Sequence, residues 1–208
     1  MKTTLMIPEQ KTPYFTMQPL TITIDRDLSS LKQTLSKDDF KRFIDIHERS
    51  PDNPKKARKE VEQLLTQYPY QPEIMNLLTY LYLARRKVRK ADRLIVENYR
   101  FNPDYLHAKI NYADYCIRKG KKDEISKIFD QKFDLRLLDP KRCVFHLSEY
   151  RGLMVLMGFY HLSLKNKDAA EAYFYLAHTV DKSHPSVLLL KKKLYKKSLY
   201  KKLFRIDS

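Results

Sequence analysis

Cys143 and His146, three residues apart in PKRCVFHLSEY, put a thiol and a potential base close together in the chain. Thiol nucleophilic chemistry needs the imidazole to take the thiol proton and a third group to orient the imidazole. No orienting group stands at a fixed spacing here, and C-x-x-H arises readily by chance, so the pair reads as structural. The six histidines, His47, His107, His146, His161, His178 and His184, include no pair four apart on one helical face, as a helical zinc hydrolase requires. His161 falls at a helix-packing position and reads as a core histidine. Cys116 and Cys143 lack C-x-x-C spacing, which suggests neither a disulfide framework nor a metal site and makes packing the expectation for each. Gly120, Gly152 and Gly158 are isolated glycines that cannot cradle a phosphate. A non-catalytic protein with no cofactor and no metal is expected.

Charge is the compositional outlier. In 208 residues, 41 lysines and arginines stand against 25 acidic residues, a net +16. Such a balance points to an acidic partner, whether nucleic acid, an anionic membrane surface or an acidic peptide. A solvated lysine-rich surface is the plainer explanation. The length suits one domain with a substantial core, with or without tails, and only three glycines leave helix as the default. GLMVLMGFYHLSL, residues 152–164, is shorter than the ~20 apolar residues of a bilayer span, so a buried helix is expected there. The N-terminal MKTTLMIPEQ lacks the apolar core and cleavage site of a signal peptide, and a cytoplasmic location is expected.

The elements that must position these residues are marked by proline. Pro69 and Pro103 stand 34 residues apart and each closes a helical pattern, LLTQYP and ENYRFNP. That spacing defines units at 38–71, 72–105 and 106–139, an insertion at 140–150, and a fourth unit at 151–184. The eighth position, where helices cross closely, holds Asp45, Thr79, Ala113 and Gly158; the twentieth holds Ala57, Ala91, Ile125 and Ala170. The seventh (Ile44, Leu78, Tyr112, Met157) and the twenty-fourth (Val61, Ile95, Phe129, Phe174) are apolar or aromatic throughout. Ser36 and Asp39 can start a helix near residue 37, and Pro54 suits the first turn of the next. Gly120 suits a helix C-cap, with Asp123 and Glu124 favouring the start of the following helix. Asp139-Pro140 and Ser183-His184-Pro185 read as two further helix starts. Residues 1–25, with Pro8, Pro13, Pro19 and the alternating LTITI, read as an extended or disordered arm, and 26–37 as a short helix or linker. Residues 185–208 read as a basic tail whose helix, Val187 to Phe204, covers the last exposed face.

This pattern resembles the tetratricopeptide repeat family over about residues 38–184. The resemblance implies an all-α fold of antiparallel helix pairs stacked as an α-solenoid with a concave face and a C-terminal capping helix. Asp45, Ile125, Leu137 and Lys182 depart from the family pattern. In that family the first helix of each unit lines the concave groove, here through Glu73, Asn76, Tyr80 and Leu83; His107, Ile110, Asp114 and Ile117; then Gly152, Val155, Phe159 and Leu162. The groove grows more apolar toward Phe159, which suits a peptide anchoring hydrophobic side chains; the chain's own arm or tail, or a second copy, would fill it equally well. Asn111 stands at a position that some members use in a carboxylate clamp for chaperone tails, but Tyr80 and Leu156 replace its partners, so no such clamp is expected.

The turns inside the units are basic: Lys55, Lys56, Arg58 and Lys59; Arg85, Arg86, Lys87, Arg89, Lys90 and Arg93; Arg118, Lys119, Lys121 and Lys122; then Lys165 and Lys167. Cations complement the C-terminal end of a helix dipole, which accounts for one or two per turn, not six in nine residues. A one-sided basic edge is therefore expected. The tail adds Lys191, Lys192, Lys193, Lys196, Lys197, Lys201 and Lys202, interleaved with aromatic residues, a composition that could hold phosphates and stack bases. Together these features predict a small adaptor or chaperone-like scaffold that binds a peptide in its groove, with the basic edge for an acidic partner. The alternative is a nucleic-acid or ribosome-associated protein using that edge and the tail.

Overall fold

The computed structural model describes residues 4–196, which divide into two units, residues 24–130 and a second made of the N-terminal segment to Thr23 with residues from 131 onward. Helix predominates in both, with eleven helices among the described residues, and most helices pack against their neighbours in sequence.

In the 24–130 unit the elements are α1 (Ser29–Thr34), α2 (Lys37–Arg49), α3 (Pro54–Gln67), α4 (Pro72–Ala84), α5 (Val88–Phe101), α6 (Leu106–Arg118) and α7 (Glu124–Ile128). Local chemistry sets their ends. The Ser36 hydroxyl accepts from the Asp39 N–H at 3.1 Å, the Asn53 amide oxygen accepts from Lys56 N–H at 3.1 Å, and Pro54 and Pro72 open helices where a missing N–H costs nothing. Phe43, Ile46, Val61, Leu64, Ile74 and Leu81 form the core between α2, α3 and α4. Polar ties cross the helices at its margin: Arg49 bridges Asp45 and Glu60, and the Tyr82 hydroxyl donates to Glu62 at 2.8 Å.

The second unit opens with β1 (Thr4–Ile7), β2 (Gln10–Lys11), β3 (Thr16–Met17) and β4 (Leu20–Thr23), and continues through α8 (Leu135–Leu138), β5 (Val144–His146), α9 (Leu147–Ser163), α10 (Lys167–Val180) and α11 (Pro185–Leu194). The alternation in LTITI becomes β4, the centre of a three-stranded sheet ordered β1-β4-β5. It pairs antiparallel with β1 (Leu5 opposite Ile22) and parallel with β5 (Phe145 opposite Ile22), so Leu20, Ile22 and Phe145 face inward and are buried. The helix start expected at Asp139-Pro140 does not form; a turn leads into β5 instead, because residues 144–146 pair with a strand far away in sequence. The start at Pro185 opens α11, capped by the His184 side chain. The part of the expected tail helix beyond residue 196 lies outside the described residues.

Residues at corresponding positions of the 34-residue spacing share their burial. Ala57, Ala91, Ile125 and Ala170, the four twentieth positions, are all 0% exposed, and the twenty-fourth positions are at most 3% exposed. The turn inside a unit is also repeated. Arg86, Gly120 and Lys165 each have positive φ (55°, 75° and 61°), and in each case the next N–H reaches back over five residues to a helix carbonyl: Lys87 to Tyr82, Lys121 to Cys116, Asn166 to His161, at 2.8–2.9 Å. Only Gly120 adopts this left-handed geometry freely; at Arg86 and Lys165 it costs roughly 1 kcal/mol each. At Gly158 the close approach comes from the capping helix α11: a Cβ there would lie 2.5 Å from Leu190 Cδ2.

Candidate functional site

Along α4, Asn76, Tyr80 and Leu83 follow at spacings of four and three and therefore share one helix face. Tyr80 is 48% and Leu83 45% exposed, large values for apolar side chains on a helix otherwise buried at Ile74, Leu77, Leu78 and Leu81. Asn111 Nδ2 on α6 donates to Asn76 Oδ1 at 2.8 Å, which brings these two first helices side by side. Asp114 accepts from Arg118 at 2.8 Å, Ile117 is half-buried, and Ile110, with 7% exposed, packs into the core.

Val155, Phe159 and Leu162 lie in the other unit, on α9. That helix is buried on every side from Leu153 to Gly158, with β4, β5, α10 and α11 all packed against it. Val155 is 6% exposed, so a ligand cannot reach its side chain; Phe159 and Leu162 are half-buried. The N-terminal segment contributes to this covering: Phe15 stacks on Tyr173 at 4.0 Å, and the Asp134 carboxylate accepts from Gln18 N–H at 2.7 Å. His161 stacks on Tyr173 at 5.4 Å, its Nδ1 has no hydrogen-bond partner among the described residues, and burial lowers its pKa.

The basic turns divide into engaged and free cations. Arg118 and Lys119 both meet Asp92 at 3.0 Å. Burial alone would raise the Asp92 pKa, but these two cations hold it below the ordinary carboxylate range. Lys90 Nζ sits 5.8 Å over the Tyr82 ring, and burial with the bond to Glu62 pushes the Tyr82 hydroxyl up to about 12. By contrast, no acidic side chain among the described residues forms an ion pair with Arg85, Arg86, Lys87 or Arg89, nor with Lys55, Lys121 or Lys122; Lys56 adds to the effect of Arg49 that lowers the Glu60 pKa. Lys191, Lys192, Lys193 and Lys196 are exposed on and just after α11; Lys197, Lys201 and Lys202 lie outside the described residues.

Cys143 is exposed, not packed: its carbonyl pairs with Thr21 N–H at 2.8 Å, and that strand-edge position turns the thiol away from the core. His146 caps α9, its Nδ1 meeting Ser148 N–H at 3.1 Å while Glu149 bonds back to its own N–H at 2.8 Å. The pair singled out for thiol chemistry thus spends its imidazole nitrogen on a helix start. No group of three or more His, Cys, Asp or Glu side chains that could hold a metal occurs among the described residues, and no described helix is long and apolar enough to cross a membrane.

One feature escaped the sequence reading. Tyr70, in the turn between α3 and α4, and Phe101, the last residue of α5, stack at 3.8 Å between ring centroids, yet remain 45% and 44% exposed. Tyr70 has φ 64°, a conformation that costs an L side chain roughly 1 kcal/mol, held by a 2.8 Å hydrogen bond from Asn102 Nδ2 to its carbonyl. The sequence signal is an aromatic residue close to a proline in each of QYPYQPE and RFNPDY, segments that carry little charge.

No protein-family model matches the sequence, and no curated protein matches it. Among solved structures, one described as "MamA RS-1 ArsTM double mutant" aligns over 79% of this chain and 96% of its own, with 11% identity and a TM-score of 0.46.

Proposed function

We propose that this protein is a non-catalytic binding module that holds a peptide on the α4–α6 face, anchoring apolar side chains on Tyr80 and Leu83. The observation that carries this reading is the half exposure of those two residues beside the Asn76–Asn111 hydrogen bond. Apolar side chains at such spacing on an open helix face are the usual anchors of peptide recognition, and side-chain amides offer donors and acceptors to a peptide backbone. The unpaired cations Arg85, Arg86 and Lys87 begin two residues after Leu83, so the favoured ligand carries apolar residues followed by carboxylates.

Selection of random peptides against the full chain tests it. Enriched peptides should combine an apolar anchor with an acidic flank, and Leu83→Asp with Tyr80→Ala should weaken them at least tenfold at unchanged melting temperature. Peptides that bind the double variant as tightly as the parent sink the reading.

A further inference from the structure

The outward face of α5 carries a second surface with different chemistry. Arg89, Arg93, Val96 and Arg100 follow at spacings of four, three and four, so they form one stripe about 16 Å long at 1.5 Å per residue. They line an open depression of about 690 Å³. At one end stands the exposed Tyr70–Phe101 stack, with the Arg100 guanidinium 5.5 Å from the Phe101 ring centre. At the other stands Tyr115, with Lys119 Nζ 5.3 Å over its ring.

We propose that this face binds single-stranded nucleic acid, with the three arginines on phosphates and the aromatic rings at either end receiving unpaired bases. Charge selects a polyanion: Arg89, Arg93 and Arg100 line the depression, and the chain as a whole carries +16. Guanidinium groups suit phosphate because their planar donors match its oxygens two at a time. Two carboxylates also line the depression, but Asp92 is neutralised by Arg118 and Lys119, which leaves Glu97 alone against three arginines. The aromatic rings decide between polyanions. An acidic peptide would satisfy the arginines and leave the rings idle, and a duplex keeps its bases stacked inside; a single strand uses both groups. The chain also holds Tyr70 in a backbone conformation that asparagine or glycine would adopt at lower cost, and in return gains an exposed ring at the end of the stripe.

Fluorescence anisotropy of labelled twelve-residue RNA and DNA single strands, the matching duplex and an oligoglutamate peptide, each with the full chain, tests the assignment. The single strand should bind most tightly, and its affinity should fall roughly 20-fold between 50 and 200 mM salt, as expected for three phosphate contacts on a single strand. Arg93→Gln with Arg100→Gln should weaken it at least tenfold. Tyr70→Asn, which suits the left-handed backbone and so keeps or raises the melting temperature, should weaken it on the order of tenfold by removing a stacking surface. Leu83→Asp should leave it unchanged, which separates this site from the peptide face. Equal affinity of the α5-face variants and the parent, which would put binding on the lysine-rich tail, overturns the proposal. So does tighter binding of the duplex or of oligoglutamate.

Discussion

The outer positions of α4 and α9 that correspond in the 34-residue spacing differ in exposure. On α4, Tyr80 and Leu83 stand exposed at 48% and 45%; on α9 their counterparts Phe159 and Leu162 are half-buried, and Val155, the counterpart of the half-buried Asn76, is almost wholly covered. The helices themselves do not make this difference. In the unit that contains α9, strands β4 and β5 lie against the helix, and Phe15 packs on its partner α10. Segments distant in sequence decide how much of a helix face stays exposed.

The largest test of this contrast places a carboxylate at each face. Ile22 is 3% exposed, between Leu5 and Phe145 in the sheet. Ile22→Asp buries an unpaired charge and removes apolar packing, which should cost more than about 3 kcal/mol and abolish hydrogen-exchange protection in α9 and α10. Leu83→Asp should stay within about 0.5 kcal/mol of the parent in chemical denaturation, because water already reaches that side chain. A Leu83→Asp loss as large as that of Ile22→Asp would break the comparison. A smaller effect is expected at the eighth register position. Thr79 and Ala113 carry side chains there, whereas Gly158 leaves room for Leu190. Gly158→Ala should destabilise by about 1 kcal/mol, the overpacking penalty exceeding the gain in helix propensity. Combining it with Leu190→Ala in a double-mutant cycle should reveal coupling between the two positions, and strict additivity would place the clash elsewhere.

The same contrast marks what the sequence made legible. Buried alanines at the twentieth position, the cap at Ser36, the helix start at Pro54 and the left-handed turn at Gly120 are local, and each follows from residues within one or two helical turns. The register alone did not foresee the end of α7. Ile125 and Phe129 keep their packing positions, but Asp130 and Gln131 turn left-handed (φ 50° and 56°) and stop the helix without a glycine or proline to announce it. Strand β5 was equally hidden, since three residues of PKRCVFH become a strand only by pairing with Thr21 to Thr23, more than a hundred positions earlier. The covering of α9 was hidden for the same reason. Tyr70 and Phe101 illustrate a third case, in which a turn and a helix end bring together aromatic rings whose meeting depends on how α4 and α5 pack.

The smallest expected effect separates the two units by pH. In the unit with α9, burial lowers the pKa of His161 and of His184, the latter helped by Arg151. Both imidazoles are favoured as the neutral form in the fold, while an unfolded chain takes up protons below about 6.5. The unfolded state therefore binds more protons as pH falls through that value, and this unit loses stability between pH 7 and 5. In the other unit Asp39 and Asp92 are shifted downward. Hydrogen bonds from Tyr68 and Ser36 lower Asp39, and Lys119 with Arg118 lowers Asp92 against the opposing effect of burial. Their contribution is complete above the unfolded aspartate range, near 3.9, and disappears only as pH falls below it. Hydrogen exchange followed by mass spectrometry, corrected for intrinsic rates, should show protection of α9 and α10 declining from pH 7 to 5 while that of α2 to α5 holds. His161→Phe, which keeps a ring against Tyr173 and removes the titrating group, should flatten the decline. Parallel slopes in the two units over that window, or an undiminished slope in His161→Phe, would show that the buried imidazoles do not set this difference.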